Sequence, residues 1–325
     1  MAEFIRRSYL VVSPLDEPAV ERAWTHNADA ITLDLHSLPA AQKGRARARI
    51  HEQLAGLGRG GAEAFVSISQ AHLYADAEVA VWPGLAWLVI AHPERAEQVQ
   101  EADEAVTELE KRHGVGAGSV EIVLLLGTAK GVLNIREIVT ASPRVTTVGL
   151  DESQLLMDLR LLPSPEEDPL GFYARGRIVL EAAGGAAELH GHHGVYRLGL
   201  GYPLSSFPKM DASADEVRTA AKDGKELGFN GALCWAPEWV EPCNVGFTPT
   251  DEEVAYHRSV REAYAAAVAM GRGAMAFEGG KFVERPVDEL AKKILALRDQ
   301  CDQRDAEKAA ALERARLPRH AGIAQ

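Results

Sequence analysis

The feature that most constrains the fold is a series of eight short apolar runs, rich in β-branched residues, that alternate with longer helical stretches. The runs are YLVVSP (9–14), AITLDL (30–35), AFVSIS (64–69), WLVIAH (87–92), EIVLLLG (121–127), VTTVGLD (145–151), VYRLGLG (195–201) and GALCWAP (231–237). Near-continuous apolar strands that are buried on both faces are typical of a parallel sheet. Eight strand–helix units in succession favour a ring, so the sequence predicts an α/β fold of the (β/α)8 TIM-barrel type.

The length of 325 residues suits a single barrel followed by an extension, because α/β barrels commonly reach this size as one domain. We predict a TIM-barrel domain at 1–270 and a C-terminal extension at 271–325, with a helix from about Val287 to Arg316. The extension carries apolar residues that need burial, on the barrel or on a neighbouring subunit. These are Met275, Phe277, Phe282, Leu290, Ile294 and Leu295.

Composition and charge exclude several classes of protein. The net charge of -12 argues against nucleic acid as the main partner, because a phosphate binder needs a basic face. No apolar stretch approaches the length of a membrane span, and the N-terminal apolar run favours a strand over a signal peptide. The three cysteines lack metal-binding spacing and are interpreted as reduced thiols, so we expect a cytoplasmic protein.

The predicted strand ends carry the residues that can do chemistry, and in TIM barrels the active site lies at the carboxyl ends of the strands. Asp34, His36 and His92 are predicted as catalytic residues. Asp151 and Glu152 are predicted as ligands of a divalent metal, because carboxylate oxygens suit such ions. The residues predicted to bind the substrate are Ser67, Ser69, Gly127, Thr128, Trp235 and Pro237.

Each of these features has a purely structural alternative. A histidine after a strand is often only a hydrogen-bonded structural residue. Asp151 and Glu152 could cap the following helix, where aspartate is favoured. The motif HGHHG (190–194) could bind a transition metal or could be a polar loop that leads into a strand.

Several segments together resemble one family, the citrate lyase β-subunit and malyl-CoA lyase group of the HpcH/HpaI aldolases. NADAITLDLHS resembles the family's GADAVILDLED, and TAKGVLNIREI resembles its ETARGVLNAYEI. The other similar segments are RRSYLVVSPLDEP, QKGRARARI, YARGRIVLEAAG, ELGFNGALCWAPEWVEPCNVGFTPTDEEVAY and GAMAFEGGKFVERPV. The likeness spans essentially the whole chain, and the NxxFTPxxEEV and GKxVxxP patterns are fairly specific to this group.

The resemblance implies a TIM barrel whose C-terminal extension often reaches a neighbouring subunit in a trimer. It implies that a carbon–carbon bond beside a carbonyl is cleaved or formed, commonly on acyl-CoA thioesters. It also implies Mg²⁺, which polarises the carbonyl and stabilises an enolate, a Lewis-acid role. Coenzyme A is implied by the family alone, since the sequence shows no phosphate-binding glycine loop.

The sequence departs from the family at several site positions. The family's metal-binding glutamate falls on Gly127, its third-strand arginine on Ser67, its fourth-strand lysine on His92 and the glutamate of its LDLED motif on His36. Asp34 and the pair Asp151–Glu152 keep the expected chemistry. A site that includes imidazoles would favour Mn²⁺ or Zn²⁺ over Mg²⁺. With glycine at 127 we expect weak Mg²⁺ binding, which Gly127→Glu should strengthen if the position tolerates a side chain.

Two functions remain open from the sequence. The first is a divergent carbon–carbon lyase or aldolase that acts on a carboxylic acid or acyl-CoA substrate through a metal-stabilised enolate. The second is a non-catalytic paralogue that binds a metabolite or a partner at the barrel mouth, because fold alone does not fix function. In both cases the expected ligand is a small molecule and the expected assembly is a homo-oligomer, a trimer by resemblance.

Overall fold

A computed structural model describes residues 5–161, 169–190, 197–198, 212–277 and 281–317. The chain divides into two compact units. The larger unit comprises residues 6–247 and 308–325, and the smaller unit comprises residues 1–5 and 248–307.

The larger unit is built on eight parallel strands. They are β1 (Ser8–Val12), β2 (Ala30–Asp34), β3 (Glu63–Ser69), β4 (Leu85–Ala91), β5 (Glu121–Leu126), β6 (Val145–Leu150), β7 (Arg197–Leu198) and β8 (Ala232–Cys234). They pair in the order β7-β6-β5-β4-β3-β2-β1-β8. Every predicted run overlaps a strand, and the TIM-barrel fold class is confirmed. A pairing of β7 with β8 would close the ring. Because β7 is flanked by residues outside the described ranges, this closure stays a prediction.

Helices follow the strands along the chain of the larger unit. They are α1 (Glu17–Ala23), α2 (Ala40–Leu57), α3 (Leu73–Ala80), α4 (Ala96–His113), α5 (Ala129–Leu133), α6 (Ile135–Val139), α7 (Glu152–Asp158), α8 (Pro169–His190), α9 (Ala214–Leu227) and α10 (Val240–Phe247). Helix α4 illustrates why these segments are helical. Its apolar residues Val99, Val106 and Leu109 recur at helical spacing and are buried on one face, as in other amphipathic helices. It ends at Gly114, whose φ of 67° is a left-handed conformation that glycine adopts readily.

Alternate side chains of the strands face two different cores. One set packs against the surrounding helices. The other set fills the barrel interior and includes Tyr9, Phe65, Trp87 and Leu233. The rings of Phe65 and Trp87 are stacked with centroids 5.6 Å apart. The barrel is therefore filled with side chains, as in other TIM barrels, and this packing forms an apolar floor beneath the carboxyl ends of the strands.

Arg7, Asp29 and Lys308 form a buried charge cluster. Arg7 and Asp29 lie just before the first two strands, and Lys308 lies in the last helix of the chain. The Asp29 carboxylate accepts hydrogen bonds from the Arg7 backbone N–H at 2.8 Å, from Arg7 Nε at 2.9 Å and from Lys308 Nζ at 2.5 Å. Lys308 also donates to the Asn27 carbonyl at 2.8 Å. Burial alone would raise the pKa of Asp29, but attraction to Arg7 and Lys308 outweighs it and lowers the pKa to about 2.

The smaller unit contains helix α11 (Asp251–Ala269), an antiparallel pair of strands and most of a long helix. The strands are β9 (Ala274–Ala276) and β10 (Phe282–Glu284), and the helix is α12 (Arg285–Arg316). Val260, Val283 and Ala291 form its apolar core. Helix α12 confirms the predicted C-terminal helix and begins two residues before the predicted start.

Within the described residues, no helix has both the length and the apolar composition that a membrane crossing requires. The three cysteines, Cys234, Cys243 and Cys301, are buried thiols.

Candidate functional site

A small cavity lies at the carboxyl ends of the barrel strands. Its floor is apolar, and its polar rim includes Asp34, His36, Ser67 and Asp151. The cavity measures about 30 Å³, which is room for about two water molecules. Residues from several different strand ends therefore converge on one mouth, where TIM-barrel enzymes carry out their chemistry.

Asp34 and Ser67 form a buried hydrogen-bonded pair on neighbouring strands. The register of β2 and β3 places them opposite each other, and Ser67 Oγ donates to Asp34 Oδ1 at 2.5 Å. The same oxygen accepts the Ser37 backbone N–H at 3.2 Å. These donors orient the carboxylate without a cation. Farther along β3, Ser69 Oγ is buried and has no hydrogen-bond partner among the described residues.

His92 and Asp151 form a second pair at the strand ends, of which Asp151 lines the cavity. His92 Nε2 lies 3.2 Å from Asp151 Oδ2. The other carboxylate oxygen, Oδ1, accepts the Gln154 backbone N–H at 3.0 Å, so Asp151 caps α7 and also orients the imidazole. The capping alternative is thus correct for Asp151, but the cap leaves one of its oxygens available to the site.

Gly127 supplies the space that the His92 ring occupies. A Cβ atom at this position would lie 2.5 Å from His92 Cδ2, 2.7 Å from His92 Nε2 and 2.9 Å from Gln154 Cγ. Real Cβ atoms essentially never approach other heavy atoms that closely. The absence of a side chain at 127 is therefore a condition for the observed position of His92.

His36 stands beside His92 with its ring nearly perpendicular. The ring centroids are 4.6 Å apart and the planes meet at 87°. Burial lowers the pKa of His36, and the neighbouring His92 lowers it further, while Asp34 and Asp151 oppose the change. His36 is therefore neutral at neutral pH. Its Nδ1 atom is buried without a hydrogen-bond partner among the described residues.

Glu152 is engaged away from the cavity. Its buried carboxylate forms an ion pair with Arg175 of α8. The predicted metal ligands Asp151 and Glu152 are thus held by other partners, and Gly127 supplies no ligand. Among the described residues, no group of three or more His, Cys, Asp or Glu side chains is arranged to hold a metal. Because Mg²⁺ requires several oxygen ligands, the residues present do not fit a magnesium site.

Of the other predicted substrate-binding residues, one lines the cavity and two have structural positions. Trp235 lines the cavity. Thr128 caps α5, because its Oγ1 accepts the Gly131 backbone N–H at 3.0 Å. Pro237 begins a short 3₁₀ turn. Residues 191–194 of the HGHHG motif lie outside the described residues.

Two residues that contribute to the arrangement were missed from the sequence. Arg175 holds Glu152, and Gln154 packs close to the position that a side chain at 127 would occupy. The sequence carried no signal for either residue: a buried carboxylate requires a cationic partner, but nothing in the sequence singles out Arg175 as that partner.

Residues 7–237 match the family described as HpcH/HpaI aldolase/citrate lyase. The chain belongs to this family. One relative, the citrate lyase subunit beta of Leuconostoc mesenteroides subsp. cremoris, is 25% identical over 302 residues, which covers 91% of this chain and 94% of the relative. The family resemblance inferred from the sequence motifs is confirmed.

Two solved structures of the citrate lyase type share the fold. One is CitE from Mycobacterium tuberculosis in complex with magnesium, acetoacetate and coenzyme A, with a TM-score of 0.67, 21% identity, and coverage of 92% of this chain and 99% of that one. The other is a citrate lyase from Burkholderia xenovorans, with a TM-score of 0.74, 14% identity, and coverage of 94% and 96%. At these identities the likeness supports the fold.

Proposed function

We propose that this member of the HpcH/HpaI aldolase/citrate lyase family is a divergent carbon–carbon lyase or aldolase whose proton transfers are made by imidazoles. The observation that carries the proposal is the pairing of His92 with Asp151 beside the neutral His36, at the mouth of the barrel. An imidazole that is oriented by a carboxylate is a common general acid–base arrangement.

Cleavage of a carbon–carbon bond beside a carbonyl needs a group that takes a proton and later returns one. A base removes the proton of the β-hydroxyl group, the carbon–carbon bond breaks to a carbonyl and an enolate, and the enolate is protonated at carbon. Asp151 favours the His92 tautomer with its proton on Nε2 and leaves Nδ1 as the base. His36 Nδ1, without a partner among the described residues, is available to hydrogen-bond a substrate oxygen.

The cavity supports a substrate whose reacting part is small. Its volume of about 30 Å³ is room for about two water molecules, so it suits only the reacting end of a substrate, such as the carbon next to a carbonyl, on an apolar floor. The use of an acyl-CoA is supported by family resemblance, and the mycobacterial CitE was crystallised with coenzyme A, magnesium and acetoacetate. A divalent metal is not supported by the donor set of this chain, and the proposed steps do not use one.

A non-catalytic paralogue is the second candidate. It is favoured by Gly127, which supplies no carboxylate, and by the ion pair that holds Glu152 against Arg175. Such a protein would bind a small metabolite at the same mouth without turning it over. The two candidates differ in whether bound substrate exchanges protons with the solvent.

The test is proton exchange at the carbon next to the carbonyl, measured by ¹H NMR in D₂O with acetyl-CoA and with short 2-oxo acids. We expect exchange by the wild type that survives a chelator and falls by about 100-fold or more in His92→Ala. The matched control, His51→Asn on the outer helix α2, should exchange like the wild type. Saturable binding without exchange would favour the non-catalytic paralogue, and exchange abolished by the chelator would contradict a metal-free mechanism.

By resemblance we further propose that the chain forms a homo-oligomer, a trimer, in the cytoplasm. The extension at 271–325 would then lie on the barrel or at a subunit boundary.

A further inference from the structure

His92 has a left-handed backbone conformation. Its φ is 53°, a region that is uncommon for residues other than glycine, although histidine adopts it more often than most, and that is strained for a residue with a side chain. The His92 backbone N–H donates a hydrogen bond to the Leu125 carbonyl at 2.7 Å, which holds this end of β4 against β5. A conformation of this kind at the end of a barrel strand indicates that the position of the side chain serves a purpose.

The His92 ring is confined on several sides. His36 lies against it in an edge-to-face contact, Asp151 receives its Nε2 edge, and Gly127 leaves the space in which its Cδ2–Nε2 edge lies. Because the backbone of His92 is fixed, the ring can move only by rotating about its side-chain bonds. Any side chain at 127 would therefore have to push the ring away from Asp151.

We infer that Gly127 is a positioning residue that reserves the end of β5 for the His92 imidazole, so that His92 in its observed place and any side chain at 127 exclude each other. The inference deepens the proposed function and rests on it only for the role of His92 in proton transfer. The steric part stands on the distances alone.

Chemical rescue separates the two parts. The variant His92→Ala leaves a space above Gly127 that has the shape of an imidazole ring. Free imidazole should bind there, measured by calorimetry, and should restore part of the proton exchange. In the double variant His92→Ala/Gly127→Ala, the added methyl group occupies the same space. Imidazole binding should then weaken by about tenfold or more, which corresponds to roughly 1.4 kcal/mol.

The matched control adds the same methyl group where it meets nothing. A Cβ atom at Gly56 in α2 would have no neighbouring atom within 4 Å, so His92→Ala/Gly56→Ala should bind imidazole like His92→Ala. A second measurement covers the case in which imidazole does not bind at all. The single variant Gly127→Ala should change the ¹³C shifts of the His92 ring in NMR spectra by displacing it from Asp151.

The outcomes distinguish the inference from the proposed function. Equal imidazole binding with and without the methyl group at 127, or an unchanged His92 NMR signal in folded Gly127→Ala, would overturn the inference. Imidazole binding that follows the expected order in variants that catalyse no exchange would support the positioning role and refute the lyase chemistry. Circular dichroism on each variant establishes that the fold is retained.

Discussion

At the residue scale, one glycine changes the character of the barrel mouth. By its resemblance to the family, position 127 falls where a metal-binding glutamate is expected; it carries glycine, and the space is filled by the imidazole of His92 from the neighbouring strand end. The two departures that the sequence shows, at 127 and at His92, are therefore one structural event. Considered separately, the two changes indicate only the loss of a metal site. Considered together, they place an imidazole at the strand ends, and Asp151 orients it.

The expectation that Gly127→Glu strengthens Mg²⁺ binding holds only if position 127 tolerates a side chain, and the contact with His92 speaks against that condition. The new side chain would meet His92 at 2.5 Å, so the single variant should be destabilised by about 1–3 kcal/mol through overpacking and should bind Mg²⁺ no better than the wild type. The double variant Gly127→Glu/His92→Ala removes the clash with His92, leaves only the Gln154 side chain to shift, and places a second carboxylate beside Asp151. Calorimetry should detect Mg²⁺ binding only in the double variant; tighter binding by the single variant would contradict the steric argument.

Asp29 provides a prediction for stability against pH. Its folded pKa of about 2 is below its ordinary value of 3.8, so its ionised form stabilises the fold above pH 4, and this contribution is lost as the pH falls from about 4 to about 2. The loss amounts to roughly 2 kcal/mol of unfolding free energy. Urea titrations measure the unfolding free energy at each pH. Between pH 4 and pH 2 this free energy should fall less in Lys308→Met than in the wild type, because the variant lacks one of the cations that lower the pKa of Asp29.

Removal of Lys308 should also lower stability at pH 7. A buried charge that loses a cationic partner costs up to about 3–5 kcal/mol, and Asp29 would lose the Lys308 cation while it keeps Arg7. The matched control Lys293→Met, at an exposed position of the same helix, should unfold within about 0.5 kcal/mol of the wild type. Equal effects of the two lysine substitutions would show that the buried cluster does not stabilise the chain.

At the scale of elements, apolar runs were sufficient to place the strands, because parallel strands that are buried on both faces leave a strong signal. The strand ends then predicted that Asp34, His36, His92 and Asp151 share one mouth. The sequence could not reveal that Glu152 pairs with Arg175, because that contact joins two helices separated by residues that bear no pattern. Nor could it reveal the contact between Gly127 and His92, since this depends on a left-handed backbone.

The N-terminus of α9 offers a test of how much helix capping contributes to the stability of the chain. Ser213 Oγ accepts the Glu216 backbone N–H at 3.3 Å, and Glu216 accepts the Ser213 backbone N–H at 2.8 Å, which is a capping box. Ser213→Ala should lower the unfolding free energy by about 1 kcal/mol. The control Ser259→Ala, within α11, should change it by less than about 0.5 kcal/mol. Urea denaturation of both variants measures the difference.

At the scale of the whole molecule, the fold and the chemistry follow different rules. The barrel is shared with proteins that are 14% and 21% identical, because many sequences satisfy the same pattern of burial. The site depends on a few distances, and by resemblance four positions at which the family carries site residues have other residues here, namely His36, Ser67, His92 and Gly127. Function therefore has to be argued from the contacts of these residues.

The assembly prediction concerns the smaller unit, which exposes large apolar side chains. Phe282 is 69% exposed and Leu290 is 53% exposed, and a second copy of the chain would bury them. Each such side chain contributes about 1.5–3 kcal/mol when buried, so Phe282→Ser/Leu290→Ser should raise the dissociation constant of the oligomer by about 100-fold or more. Light scattering coupled to gel filtration at micromolar concentration should show a trimer for the wild type and smaller species for the variant.

Tyr74→Ser on α3, where Tyr74 is 66% exposed, is the control and should leave the trimer intact. A wild type that is monomeric under these conditions would refute the prediction.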